Sequence, residues 1–344
     1  MEPVKRRLQL TGGFTYVVSL PKKWVRELGL KQGDYVLIVP QPDMSLLLVP
    51  DRVASREGAR EEVVLRPVRS PEECIRNVVA AYLAGYDAIR IGLPRIPEIA
   101  SYVDAVKKTV KYKLIGAEIM DESADEIYVR CLLRHADLSL KDALGRMYAI
   151  ARTMCVEIAR AVEERDSGLL HGICARDDEV DRFYFFVLRQ LGEAIRDRGL
   201  LRDLGLSSAH ECLEYQLIAR CLERIADHAS RASYILKDLL QSLSEGVSEM
   251  LGEMCSKCVR VLDAAMRALR DSDTGLANHA MAEMCKVQEV ETALVEEVLA
   301  EEGLEPETML HLRLVLESLR RIAEYGADIA EIAIDLAVLS KRAR

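Results

Sequence analysis

No run of about 18 uncharged apolar residues occurs anywhere in the 344-residue chain, so no membrane-spanning helix is expected. The N-terminus carries Lys5, Arg6 and Arg7 ahead of an alternating segment and lacks the apolar stretch of a secretory signal. The expectation is a cytoplasmic protein with no stable membrane insertion. A disulfide framework is missing too. The nine cysteines (Cys74, Cys131, Cys155, Cys174, Cys212, Cys221, Cys255, Cys258 and Cys285) are scattered and odd in number, which suits small buried hydrophobes. Cys255 and Cys258 form a CxxC within a helical pattern, but no second pair stands at zinc-ribbon spacing. Between Val63 and Leu133 there is neither a Gly-rich phosphate loop nor a nucleophile triad.

What is present is the composition of an ordinary globular protein, 50% hydrophobic and 30% charged, in a chain too long for one typical core. A modular protein follows. Charge is unevenly divided. Residues 1 to 52 hold eight basic side chains (Lys5, Arg6, Arg7, Lys22, Lys23, Arg26, Lys31, Arg52) and five acidic ones (Glu2, Glu27, Asp34, Asp43, Asp51), whereas the whole chain carries −9. A locally basic end on an acidic protein points to that end as the part that meets a polyanion, although a merely solvated basic face would look the same by charge alone.

The first fifty residues read as β-β-α-β-β. Runs Arg6 to Leu10 and Thr15 to Leu20 flank Gly12-Gly13, Pro21 opens a short helix from Lys22 to Leu28, and Gly29 closes it. A turn at Gly33-Asp34 then leads to strands Tyr35 to Val39 and Ser45 to Val49. A core this small rarely suffices alone, so a homodimer is expected. The string from Leu10 through Ser19-Leu-Pro-Lys-Lys-Trp24, followed by Gly29-Leu-Lys-Gln-Gly-Asp34, resembles the AbrB/SpoVT family of swapped-hairpin DNA-binding domains. That resemblance implies two interlaced chains, DNA as partner, and Arg6, Arg7, Lys22 and Lys23 as the leading contacts.

From Val63 to Leu133 strands alternate with helices. Ser70-Pro71-Glu72-Glu73 combines a capping box with proline at the first helical position, and that helix runs to about Gly85. Asp87 to Leu93 reads as a strand, Pro97 to Lys113 as a helix, and Ile115 to Met120 and Ile127 to Leu133 as strands about the acidic turn Asp121 to Glu126. A small α/β linker or dimerisation module over 60–135 is the expectation.

Everything after Asp137 is helical. Ser139 with Asp142 caps a first helix, and others are expected at Gly168 to Arg196, Ser208 to Leu243, Val247 to Arg270, Asn278 to Glu301 and Glu307 to Lys341. Six long amphipathic helices with short connections make two three-helix bundles, 137–243 and 246–341. An internal repeat supports the split: at an offset of 97, Leu213, Leu217, Leu222, Arg224, Ile225, Ala226, Asp238 and Leu239 recur identically. The fold class is thus multidomain: a small swapped-hairpin β domain over 1–52, the α/β module, then mainly α structure.

Helix two of the first bundle holds Asp177 and Asp181, and helix three holds Glu223 and Asp227. Residues four apart stand one above the other, and like charges so placed call for a compensating cation, which a metal ion or a neighbouring arginine can supply. If the two helices are neighbours, the four carboxylates suit a hard ion. A solvated charged face has the same spacing. The segments Arg176-Asp-Asp-Glu-Val-Asp-Arg-Phe-Tyr184 and Leu222-Glu-Arg-Ile-Ala-Asp-His-Ala229 resemble the paired acid-x-x-x-acid motifs of PhoU proteins over about residues 137 to 340. The resemblance implies two three-helix bundles and a divalent or trivalent metal cofactor (iron, Mn, Mg or Zn) on Asp177, Asp181, Glu223 and Asp227. The repeat breaks the motif in the second bundle, where Val287, Glu291, Arg320 and Glu324 take the equivalent places.

Together the two resemblances imply a DNA-binding transcriptional regulator of phosphate uptake that senses phosphate status through its bundles or through a component of a phosphate ABC transporter. The alternative is a protein adaptor that inhibits such a transporter directly, with the N-terminal domain serving only dimerisation. Enzymatic chemistry is not expected, and no residue is assigned a catalytic role: beside the carboxylates only His228 offers a base, and helix spacing explains it equally well.

Overall fold

The computed structural model describes residues 3–40, 44–50, 62–132, 138–301 and 305–342. It divides into a small unit within 1–60 and a large one within 61–344. The expected connection over 41–43, the basic Arg52 and the strand end at Leu133 lie outside the described residues.

In the small unit β1 (Gln9–Thr11) pairs antiparallel with β2 (Thr15–Val17), Leu10 opposite Tyr16. The Gly12-Gly13 turn between them has φ +64° and +81°, which side-chain-bearing residues rarely adopt. Helix α1 (Lys22–Glu27) follows, and Gly29 ends it at φ +62°. Strand β3 (Val36–Pro40) pairs antiparallel with β4 (Leu46–Pro50). The expected pattern is present with shorter strands, and Arg6 and Arg7 stand ahead of β1 rather than within it. The two hairpins do not join into one sheet. Pro50 is the sole buried residue among the described side chains between 3 and 50.

The large unit begins with β5 (Glu62–Leu65), α2 (Pro71–Leu83), β6 (Ala88–Gly92), α3 (Ile99–Lys113), β7 (Ala117–Glu122) and β8 (Glu126–Cys131). The strands form one mixed sheet in the order β5-β6-β8-β7, with β5 parallel to β6 and the other pairs antiparallel. Ser70 Oγ accepts the Glu73 N–H as the capping box requires, while the Glu73 carboxylate reaches back to the N–H of Arg69, one residue before the cap. A separate core of Val78, Tyr82, Ile89, Ile91, Val106, Ile127 and Val129 fills this module.

The helical part comprises α4 (Leu140–Glu164), α5 (Ile173–Ala194), the short α6 (Arg198–Asp203), α7 (Ala209–Leu239), α8 (Glu245–Asp271), α9 (Thr274–Ala300) and α10 (Pro306–Arg342). Two expected boundaries move for identifiable reasons. A 3-10 turn at Ser167–Leu170, capped by Asp166, precedes Gly172 at φ +85°, so α5 starts at Ile173 rather than Gly168. Further along, Asp273 accepts the N–H groups of Gly275 and Leu276 and starts α9 a turn before Asn278. Helix α6 was not foreseen; it too opens on an aspartate cap, Asp197.

Helices α4, α5 and α7 pack on one another, as do α8, α9 and α10, and the triplets meet through α7 with α10 and α4 with α8. Their apolar faces form one continuous core. On the α4–α8 seam Arg152 holds Asp263 through two hydrogen bonds of 2.8 and 3.0 Å, and the Tyr148 hydroxyl donates a third at 2.7 Å. On the α7–α10 seam His228 faces Tyr325, with ring centroids 5.9 Å apart. The offset of 97 equates these two positions, so the repeats meet through equivalent residues.

The α/β module is fastened to α5. Arg189 is only 7% exposed and donates to the carbonyls of Tyr82 (2.7 Å), Tyr86 (2.9 Å) and Gly85 (3.1 Å) at the end of α2, with its guanidinium over the Tyr82 ring. Arg196 donates to the Ala84 carbonyl, and Phe185 packs on the module core. Gly85 has φ +92°, and a Cβ there would stand 2.9 Å from Glu193 Cγ. Replacing Arg189 with Met therefore strips charged donors from several α2 carbonyls at once; a loss of roughly 3 kcal/mol or more is expected. Chemical denaturation checks the magnitude, and amide exchange should quicken first over residues 80–87.

Candidate functional site

Asp177 and Asp181 lie one turn apart on α5, and Glu223 and Asp227 one turn apart on α7, which packs beside it. The four expected residues are thereby brought together: Asp177 feels the charges of Asp227, Asp181 and Glu223, and Glu223 those of Asp227 and Asp181. Helix spacing sets each vertical pair, and the buried Val180, Val187 and Ile225 on the same helices fix which way the pairs turn.

Burial dominates the electrostatics. The Asp177 carboxyl is pushed up to about 7, first by desolvation and then by the neighbouring carboxylates. Glu223, 8% exposed, is also pushed up to about 7 by desolvation and by Asp227, against the pull of Arg220 and Arg224. Asp181 is raised by desolvation and held back by Lys113.

Among the described residues three cations attend the cluster. Arg220 Nη1 lies 3.0 Å from Glu223 Oε1, Arg224 Nη1 lies 3.0 Å from Asp227 Oδ2, and Lys113 Nζ, from the end of α3, lies 3.6 Å from Asp181 Oδ2. Even so, Asp177 Oδ1 and Glu223 Oε2 are buried without a hydrogen-bond partner, although Arg224 Nε comes within 3.7 Å of the latter. Orphaned carboxylate oxygens in an all-oxygen donor set fit a hard cation. As placed, no three His, Cys, Asp or Glu side chains among the described residues converge closely enough to hold one. Asp181 is turned to Lys113 and Asp227 to Arg224, so ligation requires both to change partner. Lys113 and Arg220 escaped the sequence reading. Arg220 was visible one turn before Arg224, but nothing local ties Lys113 to a helix 68 residues downstream.

The second bundle solves the same charge problem differently. Arg320 stands where Glu223 stands in the first and bridges the remaining acids, 3.6 Å from Glu291 and 2.5 Å from Glu324. Arg313 and Arg321 add ion pairs of 2.9 and 2.8 Å. Every acid at the equivalent place is matched by arginine.

The expected DNA contacts belong to the small unit. Arg6 and Arg7 are exposed in the irregular segment before β1, and Lys22 and Lys23 are exposed in the first turn of α1. That turn contains no acidic residue, although the helix dipole disfavours cations there. Lys23 also lines a groove with Val4, Leu20, Pro21, Trp24, Leu46 and Leu48. Leu8, Leu10, Phe14, Tyr16 and Tyr35 are all more than half exposed. The expected CxxC is buried and inert: desolvation pushes both thiols up, and Cys258 Sγ donates to the Leu319 carbonyl. Among the described residues no helix is long and apolar enough to cross a membrane.

A model of the antidote-toxin recognition MazE family of bacterial antitoxins matches residues 9–57, the AbrB-like stretch. No curated protein matches the chain. Among solved structures, the phosphate transport system regulatory protein PhoU from Streptococcus pneumoniae is 17% identical with a TM-score of 0.48, covering 57% of this chain and 92% of that one. PhoU from Pseudomonas aeruginosa is 19% identical with a TM-score of 0.47, covering 58% and 96%. A model of the PhoU domain matches twice, over residues 144–236 and 251–333, one match on each helical triplet and together half of the chain: the protein belongs to the PhoU family.

Proposed function

We propose that this protein is a DNA-binding regulator of phosphate uptake whose output is transcription. In this reading the small unit pairs with a second copy and presents Arg6, Arg7, Lys22 and Lys23 to DNA. The first bundle holds a metal ion on Asp177, Asp181, Glu223 and Asp227, and the helical part reads phosphate status through that ion or through a component of a phosphate ABC transporter. The observation that carries the proposal is the partly buried carboxylate cluster, left with orphaned oxygens, in a chain whose other end exposes cations and apolar side chains. A bound metal supplies positive charge and fixed geometry. The protein's own part is to hold two acids on each of two helices and to exclude water from Glu223.

Dimerisation through the small unit has its own physical support. Two isolated two-stranded hairpins are marginal in water, and leaving so many large apolar groups exposed is unfavourable until another surface covers them. An adaptor that uses this unit only for dimerisation shares that support, so salt dependence is what separates the two readings. The full chain should bind DNA with an affinity that falls steeply with salt, by roughly 0.9 logarithmic units per tenfold salt for each phosphate contacted. Replacing Arg6, Arg7, Lys22 and Lys23 with Ala should flatten that slope by up to four contacts while the dimer, measured by sedimentation, persists. An unchanged slope removes these residues from the interface.

Two expectations concern the acids. Folded-state values of about 7 for Asp177 and Glu223 lie above the ordinary carboxyl range, so their protonated forms favour the fold. Their contribution is fully present below the unfolded values and is lost as pH rises through about 7. Metal-free protein should therefore lose stability between about pH 4 and 7, and Asp177→Asn should flatten that fall and raise the melting temperature at about pH 8. Elemental analysis of purified protein should find metal in the wild type and little in the Asp181→Asn, Asp227→Asn double variant. Equal metal content in both removes the site.

A further inference from the structure

Among the described residues, Lys113 is the one cation at the carboxylate cluster that comes from outside the helical bundles. Arg220 and Arg224 sit on α7 beside the acids they pair with, whereas Lys113 ends α3 of the α/β module. Its position is not that of a wandering surface lysine. Leu114, the next residue, is 1% exposed in the module core, and the Tyr82 hydroxyl donates to the Ile115 carbonyl at 2.9 Å. The same Tyr82 gives its carbonyl to Arg189 of α5, so the segment carrying Lys113 is pinned to the helix carrying Asp181. Among the described residues the ammonium pairs with one carboxylate oxygen, at 3.6 Å, from a side chain that is 40% exposed.

We propose that Lys113 is a built-in counter-ion of the first bundle, which a bound metal ion displaces from Asp181, so that the α/β module sets the metal affinity of the cluster. This rests on the metal reading above. The second bundle supplies the contrast. There the protein's cation, Arg320, is part of the bundle, sits in the place of a ligand and contacts two acids, so it is permanent. In the first bundle Arg220 and Arg224 pair with Glu223 and Asp227, but the charge that meets Asp181 is lent by a neighbouring module through one half-exposed contact, and two carboxylate oxygens remain without hydrogen bonds. A divalent ion on Asp181 and an ammonium within contact of the same carboxylate repel each other. Binding therefore expels Lys113 to solvent, and the end of α3 loses that one ion pair with α5 while the Tyr82–Arg189 contact holds. Metal occupancy is read by the module as the loss of that ion pair.

The test uses the full chain and Mn²⁺ as the probe, followed by calorimetric titration, with circular dichroism to establish that each variant is folded. Lys113→Met should bind Mn²⁺ roughly tenfold more tightly than the wild type, because one like charge beside the ion is gone. Lys113→Arg, which keeps the charge, should stay close to the wild type. In the wild type, saturating Mn²⁺ should quicken amide exchange over residues 108–116, and Lys113→Met should exchange at that faster rate without metal. Equal affinity in the wild type and Lys113→Met overturns the inference and leaves the metal reading standing, as does weaker binding in Lys113→Met. Failure of both folded proteins to bind Mn²⁺ overturns the metal reading and the inference with it.

Discussion

Much of the large unit depends on the way α5 is held on two sides at once. Asp177 stands beside the acids of α7, while Asp181, the buried guanidinium of Arg189 and the ring of Phe185 meet the α/β module. Burying an arginine is costly unless its donors are satisfied, and here the carbonyls of Tyr82, Gly85 and Tyr86 and the carboxylate of Glu193 satisfy them. Those carbonyls need partners in turn, because a helix end leaves its last acceptors without donors. Each side removes the other's penalty. The result is a rigid link between the module and the helix that bears half of the acidic cluster.

That cluster and its counterpart in the second bundle are two answers to one electrostatic problem. Acids stacked at helical spacing and partly buried must be neutralised by protons, by side-chain cations or by a bound ion. The second bundle uses arginine, which keeps its charge at any ordinary pH, and each of its remaining acids has a close partner. The first bundle has too few well-placed cations, and Asp177 and Glu223 drift towards protonation instead. The duplicated fold thus carries one copy with orphaned carboxylate oxygens and one whose equivalent acids are all paired, joined by a common core and by the contact of the equivalent positions His228 and Tyr325.

The long elements were legible because their signals are local. Apolar residues at helical spacing, Ser139, Ser208 and Ser70 at the caps, and the Gly12-Gly13 turn each act within a few residues, and the structure places an element at every one of them. The carboxylate pairs were legible for the same reason, since a spacing of four fixes their alignment. What escaped is what depends on distant parts of the chain. Nothing near Arg189 announces that it is buried, and nothing near Lys113 announces an acid on α5. The boundaries missed at Gly172 and Asp273 are cases where a left-handed glycine or an aspartate cap outweighed the periodicity. The split into two bundles was legible from the repeat, but the fusion of their cores was not, because hydrophobic periodicity tells which face is buried and not what covers it.

The small unit raises the opposite problem, in that its sequence specifies more apolar surface than its own fold can cover. Phe14 is 96% exposed and Tyr35 80%, on hairpins that share no sheet. Transferring such groups out of water is worth roughly 25 cal/mol for each Å² covered, so a second surface is strongly favoured. The basic residues do not provide that surface, and they tend to keep copies apart through like-charge repulsion. In the proposed reading a polyanion would reverse the sign of this effect, since each phosphate neutralised at Arg6, Arg7, Lys22 or Lys23 would lower the repulsion between paired copies. Pairing and polyanion binding would then reinforce one another, with the apolar side chains supplying most of the association and the cations making it responsive to DNA.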